Sequence, residues 1–230
     1  MPPVVLVPGM LCSAEIFASQ VMALWPYGSV TVASLMEGET IAEMAAVLLA
    51  GAPPRFALAG ISMGGYIELE IMRQAPERVI KLALLDTEAR PDTPEGIAQR
   101  RALLGEVNTG NFEALLALAV PAMVHPAHQN DPALREINVR MGLTVGIERW
   151  AQQAEAVMAR IDYRPSLPAI SVPTLVLVGD CDTFTPPDRA EEMVAAIPGA
   201  RLVVVPECGH PSTIEQPDAV NRALVEWITH

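Results

Sequence analysis

The sequence predicts an α/β fold: a mostly parallel sheet of about six strands, helices on both faces, and a helical cap inserted into it. Three observations carry this expectation. Short apolar runs alternate with helical segments from Val4 to Leu85, the alternation stops after Asp86, and it resumes at Thr174. Parallel strands need crossover connections, and helices between consecutive strands supply them.

Val4 to Val7 is an apolar, mostly β-branched run without a polar break, as expected of a strand covered on both faces, and Pro8-Gly9 ends it. Ser13 can cap a following helix, Glu15 suits its first turn, and Phe17, Val21, Leu24 and Trp25 fall on one face. Ser29 to Leu35 reads as the second strand. Thr40 and Glu43 form a capping box ahead of a helix that ends near Gly51-Ala52-Pro53-Pro54. Arg55 to Ile61 is the third strand, Gly64 to Gln74 a helix, and Val79 to Leu85 the fourth strand.

Helical signals then replace strands. Thr93-Pro94-Glu95, Asn111, Asp131-Pro132 and Gly146-Ile147 are helix starts, and Ile147, Trp150, Ala154, Met158 and Ile161 form one apolar stripe. The expected organisation is a core of residues 1–89 and 171–230 with a helical cap of residues 90–170. The return from Arg164 to Pro173 is rich in proline and is expected to be extended. Thr174 to Val178 is a strand, Pro187 to Ile197 a helix capped by Thr185 and closed by Pro198-Gly199, Arg201 to Val205 the last strand, and Pro217 to Ile228 the last helix.

Composition narrows the classes of function. With 230 residues, 51% of them hydrophobic, the chain can bury one substantial core. A net charge of −12, and no basic run to neutralise a phosphate backbone, speaks against nucleic acid as a partner. Cys12, Cys181 and Cys208 are too scattered for a disulfide scaffold and form no Cys-x-x-Cys pair, so a cytoplasmic protein without a metal is expected. Ile16 to Met36 carries no charge, yet Gln20 and the turn Pro26-Tyr27-Gly28-Ser29 divide it, unlike a membrane span. No signal peptide is expected, because the first basic side chain is Arg55. The expected assembly is a monomer or a homodimer.

The chemistry centres on Gly60-Ile61-Ser62-Met63-Gly64-Gly65, where an apolar strand runs through Gly-x-Ser-x-Gly into helical sequence. Small residues two before and two after a serine at such a bend keep side chains from colliding. A neutral serine hydroxyl is a weak nucleophile, so it needs a base, and the base needs a carboxylate to hold its tautomer. Of the four histidines, His125 and His128 lie in the cap and His230 is terminal. His210 follows the last strand, in Glu207-Cys208-Gly209-His210-Pro211. The strand ending in Gly179-Asp180-Cys181-Asp182 brings two acids to the same sheet edge, where open α/β sheets gather their sites.

These stretches resemble the α/β-hydrolase superfamily, in the style of its small esterases, perhydrolases and cofactor-free haloperoxidases. The resemblance rests on the serine motif, on Gly179-x-x-Asp182 followed by Thr185-Pro186-Pro187, on Cys208-Gly209-His210 followed by Glu215-Gln216-Pro217, and on the order Ser, Asp, His. It implies Ser62 as nucleophile, His210 as general base then acid, and Asp182 as its orienter. Asp180 is the rival acid, less favoured because the loop must leave the strand before a carboxylate can face a histidine. The Met63 N–H supplies one oxyanion donor. The second comes from the loop after the first strand, at Met10 or Leu11, where Pro8 stands in place of the family's usual histidine. The implied activity is hydrolysis of a small-molecule carboxylic ester, lactone or thioester through an acyl-enzyme, with no cofactor and no metal. Perhydrolysis on the same triad, and a non-enzymatic receptor or scaffold, are the alternatives. The ordinary roles of these residues are a helix cap for Ser62, a surface loop for His210, an Asx turn for Asp182 and packing for the cysteines.

Overall fold

A computed structural model describes residues 1–107 and 112–230; the helix start expected at Asn111 lies outside the described residues. Six strands, β1 (Val4–Val7), β2 (Val30–Val32), β3 (Phe56–Ile61), β4 (Val79–Leu85), β5 (Thr174–Gly179) and β6 (Arg201–Val205), form one sheet in the order β2-β1-β3-β4-β5-β6. Every pairing is parallel. The helices are α1 (Ala18–Leu24), α2 (Ile41–Gly51), α3 (Met63–Gln74), α4 (Pro94–Val107), α5 (Phe112–Met123), α6 (Pro132–Val145), α7 (Ile147–Met158), α8 (Pro187–Ala196), α9 (Ser212–Glu215) and α10 (Pro217–Thr229).

The two-residue period of the strands builds two apolar layers. Val5, Val7 and Leu58 turn to one side, where α2, α3 and α8 contribute Met44, Ile67 and Met193. Val4, Leu6, Ala57 and Ala59 turn to the other, against Leu24 of α1 and Val220, Leu224 and Trp227 of α10. β3 and β5 are therefore buried at every position, whereas the edge strand β6 exposes Arg201 and Val204 and buries only Val205. Helices α4 to α7 occupy the interval between β4 and β5. α7 returns to the core through Ala156 and Val157, and the Arg149 guanidinium ties it to the loop after β2 by donating to the carbonyls of Leu35, Glu37 and Gly38 at 2.7 to 2.8 Å. Among the described residues no helix is long and apolar enough to cross a membrane.

Several local expectations are corrected. Trp25 is 68% exposed, because Pro26 tightens the chain into a 3-10 turn at the end of α1 and carries the ring off the helical face. The second strand spans only Val30–Val32, since its one neighbour, β1, is itself four residues long. The Thr40 hydroxyl accepts the Glu43 N–H at 3.1 Å, but the Glu43 carboxylate accepts from Glu39 rather than from Thr40. Arg164–Ala169 is a 3-10 helix, not an extended return: the φ that Pro165 and Pro168 enforce suits both, and the Tyr163 carbonyl accepts the Ser166 N–H at 3.0 Å. The helical stripe buries Trp150, Ala154 and Met158, while Ile161 lies beyond the helix end and is 51% exposed. Pro186, not Thr185, stands at the cap of α8.

Within the core, Glu68 of α3 is fully buried beneath Gly60, and neither carboxyl oxygen has a hydrogen-bond partner. Burial pushes its pKa well above the usual carboxylate range. A folded-state pKa above the unfolded one means a cost to stability that grows as pH rises from the unfolded pKa toward the folded one. Glu68→Met should therefore stabilise the protein at pH 7 by about 1–3 kcal/mol. The gain should shrink toward pH 4, as read from urea denaturation at both pH values.

Candidate active site

The site is built on the carboxyl ends of β3, β5 and β6. At the end of β3 the chain turns abruptly into α3, and Ser62 takes φ +56° and ψ −117°, a conformation a side chain resists. Neighbouring elements hold it there. The Ser62 N–H donates to the Leu85 carbonyl at 3.0 Å, and the Ser62 carbonyl accepts from the Gly65 N–H at 2.9 Å and the Thr87 hydroxyl at 2.8 Å. The helix start is also pressed against β1: a Cβ at position 64 would overlap the Val7 carbonyl oxygen and stand 2.9 Å from that of Pro8.

The loop after β6 carries the imidazole. The His210 N–H donates to the Met123 carbonyl at 2.7 Å, and the preceding Gly209 N–H donates to the Glu215 carboxylate at 2.7 Å. The same carboxylate accepts the His125 N–H at 2.7 Å and pairs with the His128 ring at 2.8 Å, so these two histidines belong to a clamp between the end of α5 and the His210 loop. His210 Nε2 lies 2.9 Å from Ser62 Oγ, and Nδ1 lies 2.8 Å from Asp182 Oδ2. A carboxylate only accepts, so Nδ1 carries the proton and Nε2 is free to accept from the serine. The Phe184 ring meets the imidazole edge-on at 5.2 Å.

Asp182 is 3% exposed and is held by its own loop. Oδ1 accepts the N–H groups of Phe184 and Thr185 at 2.8 and 3.0 Å, and Oδ2 accepts the Thr185 hydroxyl at 2.7 Å. The Asx turn and the contact with His210 thus coexist. Asp180 faces solvent and accepts the Cys208 N–H at 3.0 Å, away from the imidazole. Burial opposes ionisation of Asp182, but the charge and hydrogen bond of His210, with those from Thr185, outweigh it and hold the carboxyl below its ordinary range. Burial likewise favours neutral His210, and the pull of Asp182, aided by Asp86, raises its pKa above the ordinary value.

Two segments offer N–H groups beside Ser62: the start of α3 and the loop after β1, whose Gly9 closely approaches Ser62. Met63 opens α3, so its N–H has no preceding intrahelical acceptor. In the loop after β1, the Leu11 N–H donates to Gln153 of α7 at 3.1 Å, while the Met10 N–H has no protein acceptor among the described residues. The cysteines are free thiols. Burial pushes Cys12 up to about 12 and raises Cys208 further, which disfavours the thiolate in both.

A family model described as the alpha/beta hydrolase fold matches residues 37–217. The chain belongs to the alpha/beta hydrolase family. It is an enzyme of that class, alike in fold as well as in sequence. It is 28% identical over 180 residues to a 2-hydroxy-6-oxononadienedioate/2-hydroxy-6-oxononatrienedioate hydrolase of Klebsiella pneumoniae, a match covering 74% of this chain and 61% of that protein. It is also 28% identical to a pimeloyl-[acyl-carrier protein] methyl ester esterase of Nitrosomonas europaea, over 78% of this chain and 74% of the relative. Among solved structures, a thermophilic esterase from Thermogutta terrifontis with malate bound superposes with a TM-score of 0.88 at 31% identity, over 100% of this chain and 90% of that one.

Other residues of the candidate site escaped the sequence reading. Thr185 was legible only as a helix cap, although its spacing of three from Asp182 is that of a side-chain turn. Gln153 reaches Leu11 across 142 residues, and nothing local announces it. Asp86 marked only the point where the strand pattern breaks, yet it is fully buried and interacts with both Asp182 and His210.

The close approach at Gly64 sets a sign. Helix propensity alone would have Gly64→Ala stabilise α3 by about 1 kcal/mol. Overlap with β1 should instead destabilise the protein by about 2 kcal/mol or more, visible as a lower urea midpoint.

Proposed function

We propose that this alpha/beta hydrolase is a serine hydrolase acting on a small-molecule carboxylic ester, lactone or thioester. The observation that carries the reading is the unbroken chain of hydrogen bonds from Ser62 through His210 to Asp182. The esterases among its relatives support an acyl substrate.

In the first half-reaction Ser62 Oγ attacks the acyl carbon while His210 Nε2 takes the hydroxyl proton, and Asp182 stabilises the imidazolium. Negative charge gathers on the former carbonyl oxygen, where the Met63 and Met10 N–H groups donate. The engagement of Leu11 by Gln153 favours Met10 for the second donor. Collapse breaks the bond to the leaving oxygen or sulfur, which takes the proton from His210 and departs, leaving an acyl ester on Ser62. Water then attacks the acyl carbon, gives its proton to His210, and the serine leaves with that proton as the acid is released. The chain, the substrate and water handle every proton and electron pair.

The helical cap of residues 90–170 roofs the site in this reading. The Thr183 hydroxyl donates to the Ala122 carbonyl at 2.9 Å, and with the Met123 contact this stitches the end of α5 to both loops that carry the acid and the base.

p-Nitrophenyl acyl esters and lactones of increasing chain length should be turned over. Ser62→Ala and His210→Ala should each lower kcat by about 10³-fold or more with little change in Tm. A fluorophosphonate probe should label Ser62 alone; labelling elsewhere, or none, overturns the reading. Because the pKa of His210 is raised, the acidic limb of kcat/KM should lie above about 6.5, activity growing as pH rises through it.

A further inference from the structure

A second carboxyl group lies beneath the triad. Asp86 follows β4 directly, is fully buried, and takes φ +42°, with its N–H donating to the Leu177 carbonyl at 2.8 Å. Its Oδ1 accepts the N–H of Gly179 at 2.9 Å, and its Oδ2 accepts the Ser212 hydroxyl through a short hydrogen bond. Gly179 ends β5 and leads into the Asp182 loop; Ser212 opens α9 just after His210. The next residue, Thr87, holds the Ser62 carbonyl. One short segment after β4 therefore touches the root of each loop that brings a triad member to the site.

We propose that Asp86 is a positioning residue for the triad, pinning the Asp182 and His210 loops to each other through one carboxyl group and setting the basicity of His210 by its charge. The proposal rests on the reading of Ser62, His210 and Asp182 as a catalytic unit.

The choice of an acid here is informative. An asparagine of the same shape could accept from Gly179 with its oxygen and donate to Ser212 with its nitrogen, without the cost of burying an ionisable group. What aspartate adds is a proton that can leave. The groups facing it are Asp182 from the loop after β5, and His210 and the Cys208 thiol from the loop after β6; Arg100 of α4 acts on His210. Burial and the Asp182 charge push Asp86 up to about 8, against the pull of His210 and the two hydrogen bonds. Asp86 therefore gains and loses its proton within the working pH range; while it keeps the proton, Oδ2 donates to Ser212 rather than accepting from it, and only the ionised form acts on His210 by charge. Its ionisation places a second negative charge beside an imidazole that must become cationic during turnover, and that cation in turn makes Asp86 more acidic.

The test compares Asp86→Asn, Asp86→Ala and Ser212→Ala with the parent. Turnover of a p-nitrophenyl ester is measured from pH 5 to 10, and the imidazole titration of His210 is followed by NMR with ¹⁵N-labelled histidine. At pH 7 Asp86→Ala should lose about 10-fold or more in kcat with KM nearly unchanged, and Asp86→Asn should recover most of that loss. Above pH 8 the parent's kcat should rise while that of Asp86→Asn stays flat, and His210 of Asp86→Asn should lack the inflection near pH 8 seen in the parent. Ser212→Ala should fall between parent and Asp86→Ala. Superimposable kcat profiles and His210 titrations for the parent and Asp86→Asn, or an unchanged kcat in Asp86→Ala, would overturn the proposal. If no ester is hydrolysed and no probe labels Ser62, the serine hydrolase reading fails, while the NMR titration, which needs no turnover, still decides the role of Asp86.

Discussion

The backbone of Ser62 sits where a serine side chain resists being placed, and the contacts that keep it there reach across the sheet. Leu85 and Thr87, at the end of β4, grip its N–H and its carbonyl. Val7, at the end of β1, presses on the start of α3, which is tolerable only because position 64 has no side chain. The strain is local, but what offsets it is the registration of three parallel strands whose ends must be level. That registration comes from burial: β3 is apolar on both faces and cannot slide without exposing one of them.

The same sheet edge concentrates charge where burial is nearly complete. Asp182, Asp86 and His210 share one low-dielectric corner, and each is tolerated because donors were arranged for it: two N–H groups and a hydroxyl for Asp182, an N–H and a hydroxyl for Asp86. The Glu215 carboxylate repeats the device one shell further out, joining Gly209, His125 and His128. In consequence buried polar contacts help to order the loops of the candidate site, and the end of α5 is tied into the same network through Met123 and Ala122.

Much of the sheet was legible in the sequence because burial on both faces leaves a strong local mark. The bounds of β1, β4 and β6 could be read directly, since each run is closed by a proline or a charged residue: Pro8, Asp86 and Pro206. The edge strand β2 was over-extended, because with a single neighbour its length is decided by β1 rather than by its own residues. Prolines misled in the return to β5, where one fixed angle is compatible with two conformations and only the Tyr163 and Leu167 carbonyls select between them.

At the candidate site, the sequence by itself determined the sharp turn at Ser62, the histidine and aspartates that could join it, and their order along a parallel sheet, because strand ends and glycines at bends are properties of short segments. Which aspartate meets the imidazole, which N–H after β1 stays free, and that a further acid, Asp86, is buried close to both were decided only by the tertiary structure. Asp180 and Asp182 differ by two residues in sequence but by burial and partner in space, and Gln153 selects between Met10 and Leu11 from another helix. Such choices depend on which dipoles converge in a buried volume, and convergence is a property of packed elements that no single segment carries.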